Sequence, residues 1–129
     1  MPQVLVEKPL FTSTETFSDN QKTQVCVAYN LRFHPLLQRL CSEIKGQSIL
    51  SVQAYVGQFL PDWRPQQDYR QSYSVYSVLG GGVLRDLSHE LDYLNWIFGP
   101  WQALTALGGH YSELAGDSDD VFCLLMKME

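Results

Sequence analysis

The chain has 129 residues, 45% hydrophobic and 18% charged, which fits one packed domain and excludes a disordered tail. Its net charge of −5, with nine scattered lysines and arginines, excludes a nucleic-acid module built on a basic patch. No apolar stretch reaches membrane-spanning length and no secretory signal pattern opens the chain, so no membrane partner is expected and the cytoplasm is the expected location.

In chain order, "QVLVEKPLF" is an apolar run stopped by Pro9, which predicts a buried strand ending in a turn. Residues 12–24 are polar and aperiodic, a loop or one weak helical turn. "VCVAYN" (25–30) predicts a second buried strand, and two runs apolar on both faces suggest the edge of a parallel sheet. "FHPLLQRLCSEIKG" (33–46) carries Leu36, Leu37, Leu40, Cys41 and Ile44 at helical spacing, with Pro35 in the first turn and Gly46 just past the end. "SILSVQAYVGQF" (48–59) alternates Leu50, Val52, Ala54 and Val56 with polar partners, the pattern of a half-buried antiparallel strand. Residues 60–79 break every period and hold two prolines and four aromatics, a long loop of the kind that carries function. Leu84, Leu87, Leu91, Leu94 and Phe98 predict one helix over 83–98, ended by Gly99-Pro100. Residues 101–111 and 120–128 are strand candidates joined by a turn-rich link. The order predicts an α+β domain: an open, mostly antiparallel sheet with helices on one face. Cys26, Cys41 and Cys123 are too few for a disulfide framework, and their apolar neighbours predict reduced, buried thiols.

The chemistry concentrates in "GGGVLRDLSHELDYL" (80–94). Glycines let a backbone approach a ligand closely or adopt positive φ. Asp86 and His89 stand three residues apart, and a histidine beside a carboxylate suits taking a proton from a hydroxyl whose carbon loses hydride. The bland alternative is a solvated helix face behind a flexible loop. Lys8 in "VEKP" sits at the end of a buried strand, where α/β sheets place ligands. Asn30, Arg32 and His34 lie between a strand and a helix, suited to donating to a substrate or to capping. Trp63 and Arg64 offer stacking and anion contact. His34, His89, His110, Asp86 and Asp92 are enough donors for a metal, but no H-x-x-x-H or C-x-x-C clip occurs and no metal is expected.

"EKP", "YNLRFHP", "WRP" and "GGGVLRDLSHELDYLNWIFG", in this order over residues 4–99, resemble the glucose–fructose oxidoreductase / inositol dehydrogenase / MocA (Gfo/Idh/MocA) family. The resemblance implies a two-domain oxidoreductase. A Rossmann domain binds NAD or NADP, and a C-terminal domain on an open, dihydrodipicolinate-reductase-like sheet often mediates homo-oligomers. It implies hydride transfer between the nicotinamide and a hydroxyl or carbonyl of a sugar-like substrate. It assigns Lys8, His89 and Asp86 to catalysis, and Glu7, Lys8, Pro9, Trp63 and Arg64 to the cofactor. Arg32, Asp86 and His89 go to the substrate. The family's usual spacing is D-x-x-x-H, whereas this chain has D-L-S-H, one residue shorter.

No G-x-G-x-x-G follows a strand here. The chain therefore reads as a fragment: residues 1–30 as the last strands of a dinucleotide-binding domain, residues 31–129 as part of the C-terminal domain. Alone it is expected to be inactive. The alternative is a non-catalytic assembly or binding module that associates through its sheet.

Overall fold

A computed structural model of the chain describes residues 4–13 and 17–129. Parts of the first predicted strand and of the polar 12–24 segment therefore lie outside the described residues. β1 (Val4–Val6) and β2 (Val25–Val27) pair in parallel, Val4 opposite Val25 and Val6 opposite Val27. The expected parallel edge is present. β1 stops ahead of Pro9, which has no N–H to give a ladder. Helix α1 (Asp19–Lys22) lies between the two strands, with Ser18 and Gln21 forming a capping box.

After β2 the chain makes a 3-10 turn, Asn30–Phe33, and enters α2 (Pro35–Glu43). His34 caps α2, its Nδ1 accepting the Leu36 amide at 3.3 Å, and Pro35 stands at the first turn as expected.

Residues 48–59 correct the sequence expectation. They form no strand, and all twelve are exposed. Alternation describes side chains suited to a sheet face, but a strand exists only where a neighbouring backbone supplies its hydrogen bonds. No strand among the described residues pairs with this segment: β1 pairs with β2, and β3 with β4.

The loop 60–79 resolves into single turns. Helix α3 (Leu60–Trp63) is followed by 3-10 turns at Tyr69–Gln71, Tyr73–Val75 and Ser77–Leu79. Asp68 and Ser72 cap two of them, accepting the amides of Arg70 and Ser74.

The single helix predicted over 83–98 is broken at Leu87 into α4 (Val83–Asp86) and α5 (Ser88–Phe98). Leu87 has φ −104° and ψ 24°, outside the helical basin. The Arg85 and Asp86 carbonyls at the break accept hydrogen bonds from the Lys8 ammonium. A tertiary donor thus takes carbonyls that a continuous helix would have used.

β3 (Trp101–Gly109) and β4 (Val121–Met128) form an antiparallel hairpin from Gly109 opposite Val121 to Trp101 opposite Met128, irregular between Trp101 and Ala103. The fold class is α+β, as expected. Among the described residues no helix is long and apolar enough to cross a membrane.

Burial is concentrated in an unexpected place. Val75, 2% exposed, is the one buried hydrophobic side chain among the described residues. Ser74, Ser118, Asp86 and Gly80–Gly82 are buried as well. The cysteines are free, but Cys26 and Cys123 are exposed, against the expectation of burial. Their strands belong to two-stranded sheets with an uncovered face, so an apolar neighbourhood in sequence is not shielded in space.

Candidate active site

The glycines explain how α4 is held. Gly82 has φ +116°, a conformation that L side chains rarely adopt, and it faces the Asp119 carboxylate. A Cβ on Gly81 would collide with the carbonyl oxygens of Tyr73 and Ser74. Backbone bonds fill the same space: Gly82 N–H to Ser74 O at 3.1 Å and Val83 N–H to Asp119 O at 2.9 Å. The Asp119 carboxylate also accepts the Leu84 amide at 3.0 Å, serving α4 from across the chain. The expected positive φ is present at Gly80 and Gly82, and the Gly81 backbone packs against the Tyr73 and Ser74 carbonyls.

Asp86 is 7% exposed, which sets aside the alternative of a solvated face at this residue. Burial of a carboxylate requires a donor, and the Tyr73 hydroxyl supplies one at 2.9 Å. Burial, then the bond to Asp86, raises the Tyr73 phenol above its ordinary pKa, which keeps it a donor. Asp86 also lines a cleft of about 220 Å³ together with Phe59, Trp63, His110, Ser118 and Asp119.

His89 lies one residue into α5. The Tyr29 ring meets it edge-on, with centroids 5.6 Å apart and planes at 85°. Tyr29 Oη reaches Ser88 Oγ at 3.5 Å. The His89 Nδ1 is buried and has no hydrogen-bond partner. A buried ring nitrogen without a partner is costly. Neither neighbouring carboxylate serves it. Asp86 accepts from Tyr73, and both Asp92 oxygens accept from Arg32, at 2.8 and 2.6 Å.

The other sequence candidates separate into two places. Lys8 reaches the α4–α5 break, bonding the Arg85 and Asp86 carbonyls, Pro9 follows it, and Glu7 is exposed. Trp63 borders the cleft, while Arg64 stacks on Trp63 at 5.4 Å and faces a smaller adjoining hollow with Gln67 and Asp68. Asp86 links the two places: its carbonyl takes Lys8 and its carboxylate faces the cleft. The three histidines stand apart, His34 capping α2, His89 against Tyr29 and His110 on the Ser118 carbonyl. Among the described residues no three His, Cys, Asp or Glu side chains form a metal cluster. Sequence reasoning does not single out Tyr29 or Tyr73. Tyr29 carries a signal, its place just past an apolar strand pattern and close to Arg32, whereas Tyr73 is one tyrosine among several in an aperiodic stretch.

Residues 40–129 match the GFO/IDH/MocA C-terminal domain, so the chain belongs to the Gfo/Idh/MocA family. It is also 32% identical over 114 residues to the uncharacterized oxidoreductase sll0816 of Synechocystis sp. (strain ATCC 27184 / PCC 6803 / Kazusa). That similarity covers 80% of this chain but 30% of the relative, so the chain spans under a third of that protein's length. No solved structure matches the chain.

Proposed function

We propose that this chain carries the proton-transfer half of an NAD- or NADP-dependent oxidoreductase site acting on a hydroxyl or carbonyl of a sugar-like substrate. Residues 1–30 read as the end of a dinucleotide-binding domain, with the parallel β1–β2 pair in support. Family membership and the oxidoreductase relative support the reaction class. The observation that carries the reading is the buried, partnerless His89 Nδ1. It fits the reactive end of a substrate–cofactor pair, while the chain contributes no glycine-rich phosphate cradle. A nicotinamide cofactor, when bound, supplies or accepts the hydride. His89 takes the hydroxyl proton, or returns it in the reverse direction. Lys8, at the break beside it, supplies a positive charge for the developing oxyanion. Tyr73 holds the Asp86 carboxylate in place at the cleft. A cytoplasmic location accords with its free thiols.

The test joins this chain to a dinucleotide-binding domain and compares it with its His89→Ala form. Turnover should fall roughly 10²- to 10⁴-fold, the usual weight of a general acid–base group, with NADH binding unchanged. Full turnover in the variant would remove His89 from the chemistry.

A second reading, assembly of like copies through the sheet, is supported by the hairpin's uncovered face. Leu107, opposite Cys123, and Leu125, opposite Thr105, share one face and are 74% and 77% exposed. The chain exposes 9779 Å², whereas a compact monomer of its mass exposes about 6,900 Å². The excess exceeds the roughly 1,600 Å² that a standard interface buries over both partners. Sedimentation of the chain as a monomer at high micromolar concentration would end this reading.

A further inference from the structure

We infer that the Arg32–Asp92 ion pair is a positioning latch that seats the His89 ring against Tyr29 at the end of the strand pair carrying Lys8. The inference rests on the reading that His89 does the chemistry. Arg32 and Tyr29 share one turn, the Arg32 amide donating to the Tyr29 carbonyl at 3.2 Å. That turn leaves the end of β2, where Ala28 N–H still bonds Val6 O at 2.8 Å, two residues from Lys8. From it two side chains grip α5. Tyr29 touches Ser88 and His89, and Arg32 holds Asp92, three residues on and so on the same helix face.

The pair has the geometry of a fixed joint rather than a loose surface contact. Both carboxylate oxygens are taken in a forked arrangement, which fixes orientation as well as distance. The Asp92 side chain is 10% exposed and the Arg32 side chain 42%. The guanidinium also lies 6.0 Å from the Trp96 ring, one further turn along α5. The Gln38 side chain donates to the Arg32 carbonyl, pinning the turn from the α2 side. By contrast the Arg39–Glu43 pair joins two exposed residues of one helix and positions nothing beyond it.

The test is NMR on the chain itself, reading the Tyr29–His89 ring cross-peak and the His89 ring-proton shifts. Arg32→Lys keeps the charge and loses the fork. Asp92→Asn keeps the shape and loses the charge. Each should weaken the cross-peak several-fold against reference cross-peaks within α5, and the double swap Arg32→Asp with Asp92→Arg should restore part of it. Arg39→Lys should leave it unchanged. A cross-peak of full strength in both single variants, whatever α5 does in hydrogen exchange, overturns the latch. So does failure of Arg32→Lys to fold, since the pair would then be a general folding element. Neither result bears on whether His89 moves a proton, which the turnover of His89→Ala decides separately.

Discussion

The segment from Tyr73 to Leu87 and the β3–β4 hairpin lie side by side, with Val83 bonded to Asp119 just ahead of β4. They use their residues in opposite ways. The first leaves Val78 and Leu79 exposed, yet holds Val75, Ser74, Asp86 and three glycines away from water. Its polar groups meet partners at every turn: Asp86 with Tyr73, Ser118 Oγ with Ser74 O at 2.6 Å, Asp119 with the α4 amides. The hairpin is rich in apolar residues and leaves β3 exposed from Trp101 to Leu107. Local order in this chain therefore follows backbone fit and paired polar groups, while apolar area is left over for something else to cover.

That contrast is broken most directly by a methyl group. Gly81→Ala should lower stability by roughly 2–4 kcal/mol, because the new Cβ meets the Tyr73 and Ser74 carbonyls, which the 3-10 turn fixes in place. Gly57→Ala should change it by less than about 0.5 kcal/mol, since its Cβ meets only the Tyr55 hydroxyl at 4.0 Å. Urea midpoints of both variants read the difference. Equal midpoints would show that the glycine loop is not where the chain is held together.

Much of this was legible in sequence, and the remainder follows a physical rule. Apolar periodicity placed α2, α5, the parallel pair and the hairpin, because each pattern matched contacts its own element makes. The strand at 48–59 was misread because its pattern states what it could line, not what pairs with it. The break at Leu87 depends on Lys8, 79 positions earlier, and no local window contains that donor. The burial of Asp86 was not legible either. A carboxylate at helical spacing looks the same whether it faces water or Tyr73.

The hairpin side of the comparison is sharpened by Leu125→Glu. Leu125 is 77% exposed, so its loss should shift monomer stability by less than about 0.5 kcal/mol. If the uncovered face joins two copies, the same change should abolish association in size exclusion, because a carboxylate in an apolar interface is desolvated without a partner. A variant that still dimerises would move the interface away from this face.

The smallest effect concerns the link that ties the two regions together, residues 110–120. His110 Nδ1 bonds the Ser118 carbonyl at 2.8 Å and lies 3.6 Å from Asp120. The Ser118 carbonyl first, and Asp120 beyond it, raise the His110 pKa above 6.5. Partial burial of Asp120 works against ionisation, but the Ser112 hydroxyl and the Tyr111 and Ser112 amides outweigh it and hold the carboxyl below 3.8. Asp117, accepting the Ser77 amide at 2.8 Å and the Ser77 hydroxyl at 3.0 Å, is lowered as well. A raised histidine gives stability that is complete below 6.5 and lost as pH rises through its folded value. Lowered carboxylates give stability that is complete above 3.8 and lost as pH falls through theirs. The two requirements overlap only between these values, so amide protection at Tyr111, Ser112 and Ser77 should be greatest there and decline on both sides. All these groups are solvent-accessible or nearly so, which keeps the effect small and salt-sensitive. Protection that stays flat from pH 3 to 8 would mean that backbone geometry alone, as in the glycine loop, holds this link.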